Sequence, residues 1–298
     1  MAENKDRRNN FIWGAIKFFM HLTSILPHKV AVRLGGFLGL CVWALSKKKV
    51  DEAEKRCVEV LGVGVTKARK IVRDSYVNLG RGFSEFVLLP KLREGLFEYV
   101  TVHGEENLKS AFSQGKGVIL LTAHIGNWEF AAAYLGLSGY PMNAIGAEQR
   151  DERITNLIED LRASCGVKTI GKGFDLKSAL ACLKRGELLG VLLDQDFRDK
   201  GVVVPFLGVD ASTPYGPLKM ADKLGALIVP LFIIRREDGI RHDLYFLEPL
   251  QPKGSKFEDS LEESAAMCND VISQWILRFP GQWMWLYDRW ASTRERKR

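Results

Sequence analysis

The sequence predicts an α/β protein, with a mixed, largely parallel sheet flanked by helices and an N-terminal membrane-associating helical segment. Three observations lead there. From Phe97 onward, apolar runs of strand length alternate with stretches of helical periodicity. The run Gly117–Leu121 has no polar side chain, as expected of a buried strand. The first fifty residues hold two apolar stretches with positive charge at both ends.

Phe11–Leu26 is apolar except for interruptions such as Lys17 and His21, and stops at Pro27. Val30–Leu45 is broken by Arg33 and softened by Gly35, Gly36 and Gly39. Neither gives the roughly 20 uninterrupted apolar residues of a clean membrane span. No small-x-small cleavage site follows, so a removed signal peptide is not expected. Lys5, Arg7 and Arg8 lie before these stretches and Lys47–Lys49 after them. Basic residues stay on the cytosolic side, which favours an in-plane or re-entrant hairpin with both ends cytosolic. A single short span is the alternative, and an ordinary buried helix a third. The expected division is a helical segment over residues 1–50 and an α/β domain over 51–298.

Asp51–Leu61 and Thr66–Leu89 show helical periodicity, ending at Pro90. Phe97–His103 reads as a strand, Glu105–Gln114 as a helix and Val118–Leu121 as a strand. An alanine-rich helix over Phe130–Leu135 follows. Met142–Gly146, Val167–Ile170 and Leu188–Leu193 read as strands, separated by helices over Glu152–Ser164 and Asp175–Arg185. Thr213–Leu224 reads as a helix, Ala226–Arg235 and His242–Leu247 as strands, and Glu262–Phe279 as a long helix.

Composition narrows the classes of function. The 298 residues are 46% apolar, enough for a large core. With 43 basic and 36 acidic side chains, the net charge is +7 and suits an anionic partner: a membrane surface, a phosphorylated lipid or an acidic protein. No zinc-finger spacing, RNP-like motif or basic heptad supports nucleic acid. Five widely spaced cysteines without Cys-x-x-Cys fit a reducing compartment, and no metal or cofactor is implied. Gly166-x4-Gly171-Lys172 lacks the Ser/Thr of a phosphate-binding loop, and no Gly-x-Ser-x-Gly elbow of a serine hydrolase is present.

The most informative stretch is Thr122–Glu129, which follows the buried strand and opens the next helix. Open α/β sheets place ligands just beyond the carboxyl ends of strands. His124 sits at such an end, with Glu129 five residues later. On an unbroken helix five residues turn about 500°, so the side chains would diverge. A bend at Gly126-Asn127 would let Glu129 turn back, fix the imidazole tautomer and leave the other nitrogen as a base. The spacing alone says little, since about 0.6 such matches arise by chance in a chain of this composition. A hydrogen-bonded structural histidine is the competing explanation.

The segment His124-Ile125-Gly126-Asn127-Trp128-Glu129 resembles the His-x4-Glu signature of the bacterial lipid A biosynthesis acyltransferases, within the wider His-x4-Asp/Glu glycerolipid acyltransferase group. Further blocks follow in the family's order. They are Arg162–Gly166, Leu193–Asp196 with Gly201–Gly208, Gly225–Pro230, and Gln282–Trp290. The likeness spans about residues 10–290, and ordered blocks are far more specific than one motif. Arg150-Asp151 departs from the Arg-Pro frequent in the family, and Gly281 and Tyr287 stand where Glu and His are common.

The resemblance implies a membrane-associated O-acyltransferase at the cytoplasmic face of the bacterial inner membrane. His124, oriented by Glu129, would deprotonate an acceptor hydroxyl that attacks an acyl thioester. Backbone amides of Gly126–Trp128 would stabilise the oxyanion, with Asn127 among the substrate-binding residues. Acyl carrier protein is the expected donor partner, with acyl-CoA as the alternative, and the expected acceptor is an anionic glycolipid, a lipid A precursor. Arg162, whose placement the helix dipole could also explain, would bind a phosphate or orient the site. Asp194 ends a strand as His124 does, so the two can face one cleft; a hydrogen-bonded turn aspartate is the alternative. Arg150 is a candidate contact to the acceptor. Trp283, Trp285 and Trp290 suggest an interfacial belt, an acyl-chain wall or a packed terminal strand. Two alternative functions remain: acylation of another glycolipid such as a phosphatidylinositol mannoside with acyl-CoA as donor, and noncatalytic lipid binding.

Overall fold

A computed structural model describes residues 2–171 and 175–296. Lys172 and Gly173 of the loop-like motif, and the Lys297-Arg298 end of the basic tail, lie outside the described residues. The strands are β1 (Val100–His103), β2 (Val118–Thr122), β3 (Met142–Ile145), β4 (Lys168–Ile170), β5 (Leu188–Leu192), β6 (Val202–Phe206), β7 (Val209–Thr213), β8 (Leu227–Arg235) and β9 (His242–Phe246). The helices are α1 (Ala2–Ile25), α2 (His28–Leu45), α3 (Lys47–Leu61), α4 (Val65–Val87), α5 (Leu89–Leu92), α6 (Glu105–Phe112), α7 (Trp128–Leu137), α8 (Glu152–Ala163), α9 (Leu176–Lys184), α10 (Gly216–Leu224), α11 (Leu261–Arg278) and α12 (Ala291–Arg296).

Seven strands form one sheet in the order β1-β9-β8-β2-β5-β3-β4. Every pairing is parallel except β8 with β9. β2 lies at the centre, and every one of its residues is buried. A parallel strand covered on both faces needs such a continuous apolar run. The expected mixed, largely parallel sheet flanked by helices is what the chain forms.

The β6–β7 hairpin departs from the sequence reading, which placed no strand there and began a helix at Thr213. Val202–Phe206 pairs antiparallel with Val209–Thr213. Leu207 and Gly208 form its turn, with φ of 52° and 77°. Two left-handed residues match the twist of a tight hairpin. Thr213 therefore ends β7, and α10 begins at Gly216 followed by Pro217.

At the N-terminus, α2 crosses α4 at very close range. A Cβ on Gly35 would lie 2.3 Å from Gly80 O, and one on Gly39 would lie 2.2 Å from Tyr76 O. The glycines that interrupt the apolar run are thus the contact face. Large apolar side chains elsewhere on the two helices are exposed, with Phe18 on α1 and Phe37 and Leu45 on α2 at 68%, 59% and 85% exposure. The α2 helix is long and apolar enough to cross a membrane.

The tryptophans do not form a belt. Trp283, Trp285 and Trp290 are buried, packed on one another and, through Trp283 and Trp290, on Phe206. Their segment is no regular strand; one isolated bridge joins Trp283 to Ile125.

Candidate active site

Parallel pairing sets the centre of the site. β2 and β5 are neighbours in register, with Thr122 opposite Leu192. Two residues further along each chain, His124 and Asp194 meet. His124 Nδ1 lies 2.8 Å from Asp194 Oδ1, and the His124 backbone N–H donates to Oδ2 at 2.8 Å. Trp283 Nε1 donates to that same Oδ2 at 2.8 Å.

Electrostatics fix the protonation pattern. Burial opposes ionisation of Asp194, but the His124 charge and the hydrogen bonds from His124 and Trp283 outweigh it and hold the carboxyl below its usual range. An ionised carboxylate only accepts, so Nδ1 carries the proton. Burial likewise works against a charged His124, yet the Asp194 charge and hydrogen bond, with Glu129 adding to them, raise the imidazole above its ordinary value. Nε2 is left as the nitrogen that can meet a substrate.

The expected Glu129–imidazole hydrogen bond is not formed. Glu129, in the first turn of α7, is gripped by Arg162 of α8, with Nε to Oε2 at 2.9 Å and Nη2 to Oε1 at 2.7 Å. The Gly126 bend does not bring Glu129 back to the ring; a guanidinium fork claims it, a stronger and more directional partner than one imidazole N–H. Glu129 still lines the same cavity as His124 and adds to the negative field there. Arg162 is therefore next to the site, tied to a carboxylate rather than standing free.

The turn is clamped from behind. Gly126 has φ of 64°, and a Cβ there would lie 1.6 Å from Ile233 O, so only glycine fits. Its N–H donates to Gln282 O at 3.0 Å, which removes one of the expected oxyanion donors. Its carbonyl accepts from Asn78 Nδ2 at 2.9 Å. Asn127 is buried and caps α7, accepting from Phe130 N–H at 3.2 Å and donating to Glu85 at 2.6 Å. It is not among the residues facing the cavity. Glu85, fully buried, also takes both terminal nitrogens of Arg235 at 2.6 Å, and Arg235 Nε donates to Asn78.

The cavity has a volume of about 490 Å³, within the ~300–1,000 Å³ of small-molecule sites. Trp128, Ile145 and Val191 join His124, Glu129 and Arg162 on its walls. A second, small pocket of about 40 Å³ lies between α7 and the sheet, lined by Leu120, Ala132 and Met142 and sharing Glu129 and Arg162 with the cavity. Gln149 faces the main cavity, whereas Arg150 is exposed and is not on its wall. Among the described residues, no group of three or more His, Cys, Asp or Glu is placed to hold a metal.

The His-x4-Glu turn, with Arg162 and Asp194 drawn to it, coincides with the blocks that resembled known acyltransferases. A sequence model of the bacterial lipid A biosynthesis acyltransferase family matches residues 5–292. The chain belongs to that family. This lipid A acyltransferase family member is 27% identical to the lipid A biosynthesis lauroyltransferase of Escherichia coli K12, over 91% of this chain and 88% of the relative. It is 24% identical to the palmitoleoyltransferase of the same organism, over 90% and 87%. It is also 24% identical to a phosphatidylinositol mannoside acyltransferase of Mycolicibacterium smegmatis, over 74% and 73%.

The sequence does not reveal that Trp283 of this acyltransferase anchors Asp194. The one available signal was that a buried indole N–H needs an acceptor, and Asp194 supplies it.

Proposed function

We propose that this protein is a membrane-associated O-acyltransferase that moves a fatty acyl chain from an acyl thioester to a hydroxyl of a lipid A precursor. The observation that carries this reading is His124 in the cavity wall, its Nδ1 committed to Asp194 and its Nε2 left to meet a hydroxyl. Nε2 takes the acceptor's proton, and the alkoxide oxygen bonds to the thioester carbonyl carbon. The tetrahedral intermediate collapses with cleavage of C–S, and the leaving thiolate takes the proton back from Nε2. Glu129 and Arg162 act in this scheme as a locked pair that shapes the cavity beside the imidazole. Trp128, Ile145, Ile158 and Val191 give the main cavity an apolar side for the acyl chain.

Acyl-acyl carrier protein is the proposed donor and a phosphorylated glucosamine disaccharide the proposed acceptor. The net charge of +7 suits both acidic partners, and the E. coli relatives are named for lipid A biosynthesis. The site is proposed to work at the cytoplasmic face of the bacterial inner membrane, with residues 1–50 as the attachment. Exposed apolar side chains on α1 and α2 support this. So does the link from α1 to α8, where Arg153 bonds Asn10 at 2.9 Å and stacks on Trp13. Attachment and the Arg162-bearing helix are thereby joined.

The mannoside acyltransferase relative supports a second reading, transfer to a phosphatidylinositol mannoside from acyl-CoA. Lipid mass spectra from cells with and without the gene decide between the two. Loss of one acyl chain from lipid A is expected. Unchanged lipid A alongside an under-acylated mannoside would replace the first reading with the second.

A further inference from the structure

Arg162 gives only one edge of its guanidinium to Glu129. Nε and Nη2 are used, while Nη1 is buried and has no hydrogen-bond partner among the described residues. The Arg162 side chain is 9% exposed. A second buried polar atom without such a partner, Thr169 Oγ1, belongs to another residue on the wall of the same cavity. Gly146 lies beside both residues: a Cβ there would be 2.6 Å from Thr169 Cγ2 and 3.4 Å from Arg162 Nη1. Adjacent parallel strands hold this arrangement, since Gly146 follows β3, Thr169 is in β4, and Ile145 pairs with Ile170.

We propose that Arg162 Nη1 and Thr169 Oγ1 form a subsite for an uncharged substrate oxygen, a hydroxyl or a carbonyl, with Gly146 keeping the space open. The inference rests on the cavity being the acyl-transfer site. Charge decides the ligand class. Glu129 already offsets the guanidinium, and Glu159 on the same wall acts on Arg162 as a further negative charge. A phosphate would meet two carboxylates against one cation. Glu129 already holds the Nε/Nη2 edge of the guanidinium, so the group bound at Nη1 meets a cation whose charge is largely offset. An N–H of Nη1 and the Thr169 hydroxyl together match the lone pairs of a single neutral oxygen.

That oxygen can belong to the acceptor's sugar or acyl groups or to the donor's acyl carbonyl. Thr169→Val and Gly146→Ala, made in the full-length protein and assayed with each substrate varied in turn, separate these sources. Loss of one neutral hydrogen bond raises the KM of the substrate concerned about fivefold. A rise confined to the acceptor assigns the oxygen to it, and a rise confined to the donor assigns it there. Thermal midpoint supplies the control. Thr169→Val removes a buried hydroxyl that has no partner, so its midpoint stays level or rises while KM worsens. Unchanged KM for both substrates, or a midpoint that falls in step with activity, would overturn the subsite. So would a KM effect that vanishes when a dephosphorylated acceptor is used, because the group bound would then be the phosphate. His124→Ala in the same assay keeps the two ideas apart: if it turns over normally, the acyl-transfer reading fails whatever Thr169 does.

Discussion

Asp194 holds His124 twice, accepting from the ring at Nδ1 and from the backbone N–H, each at 2.8 Å. One carboxylate therefore sets both the tautomer and the position of the imidazole. It is itself held by Trp283.

Asp194→Asn should reduce acyl transfer by roughly 10³–10⁴-fold, the scale of tautomer loss in a Ser-His-Asp triad. The amide has one acceptor oxygen for three N–H donors. Substrate binding should change little, which initial-rate kinetics with separate kcat and KM would establish.

The pH profile carries a sign. Burial opposes a charged His124, but Asp194 and Glu129 together raise its pKa above 6.5. A general base acts only when neutral, so kcat/KM should fall as pH drops through a value above 6.5. Stability runs the other way. A raised folded pKa gives stabilisation that is complete below 6.5 and lost as pH rises through the folded value. Asp194→Asn should move the acid limb of the rate profile to lower pH.

The Glu85–Arg235 pair behind the site should be costly to break singly. Glu85→Ala leaves a buried guanidinium uncompensated and should cost about 3–5 kcal/mol by denaturant midpoint. Replacing both residues, as in Glu85→Leu with Arg235→Met, should recover most of that stability. Transfer should stay slow in the double variant, because Asn127 and Asn78 lose the partners that seat the turn.

Membrane attachment should depend on the exposed faces of α1 and α2. Phe18→Asp and Phe37→Asp each remove a side chain worth about 1.5–3 kcal/mol when buried. Sedimentation with anionic vesicles should weaken by roughly tenfold or more for each. Far-UV circular dichroism should not change.

His124 was legible because a wholly buried strand, apolar up to Thr122, runs straight into the motif. Asp194 was visible as a strand end but not as the partner of His124. That pairing needs β2 beside β5, and strand order over 70 residues of chain leaves no local mark. Glu129 lies nearest His124 along the chain, whereas α8 brings Arg162 within reach from 33 residues away. The β6–β7 hairpin did carry a signal, Leu207-Gly208 after the Val202–Val204 run and before Val209, which Pro205 inside the strand obscured. Asn127 looked available to substrate, yet its spacing before α7 suits a cap, and Glu85 holds it inside.

The most direct test of the central claim is a single-turnover measurement on purified His124→Ala with acyl-acyl carrier protein and lipid A precursor. Proton removal by one imidazole predicts that the product ester is lost, with the circular dichroism spectrum and vesicle binding retained. Ester formation at a rate close to that of the unaltered protein would contradict it.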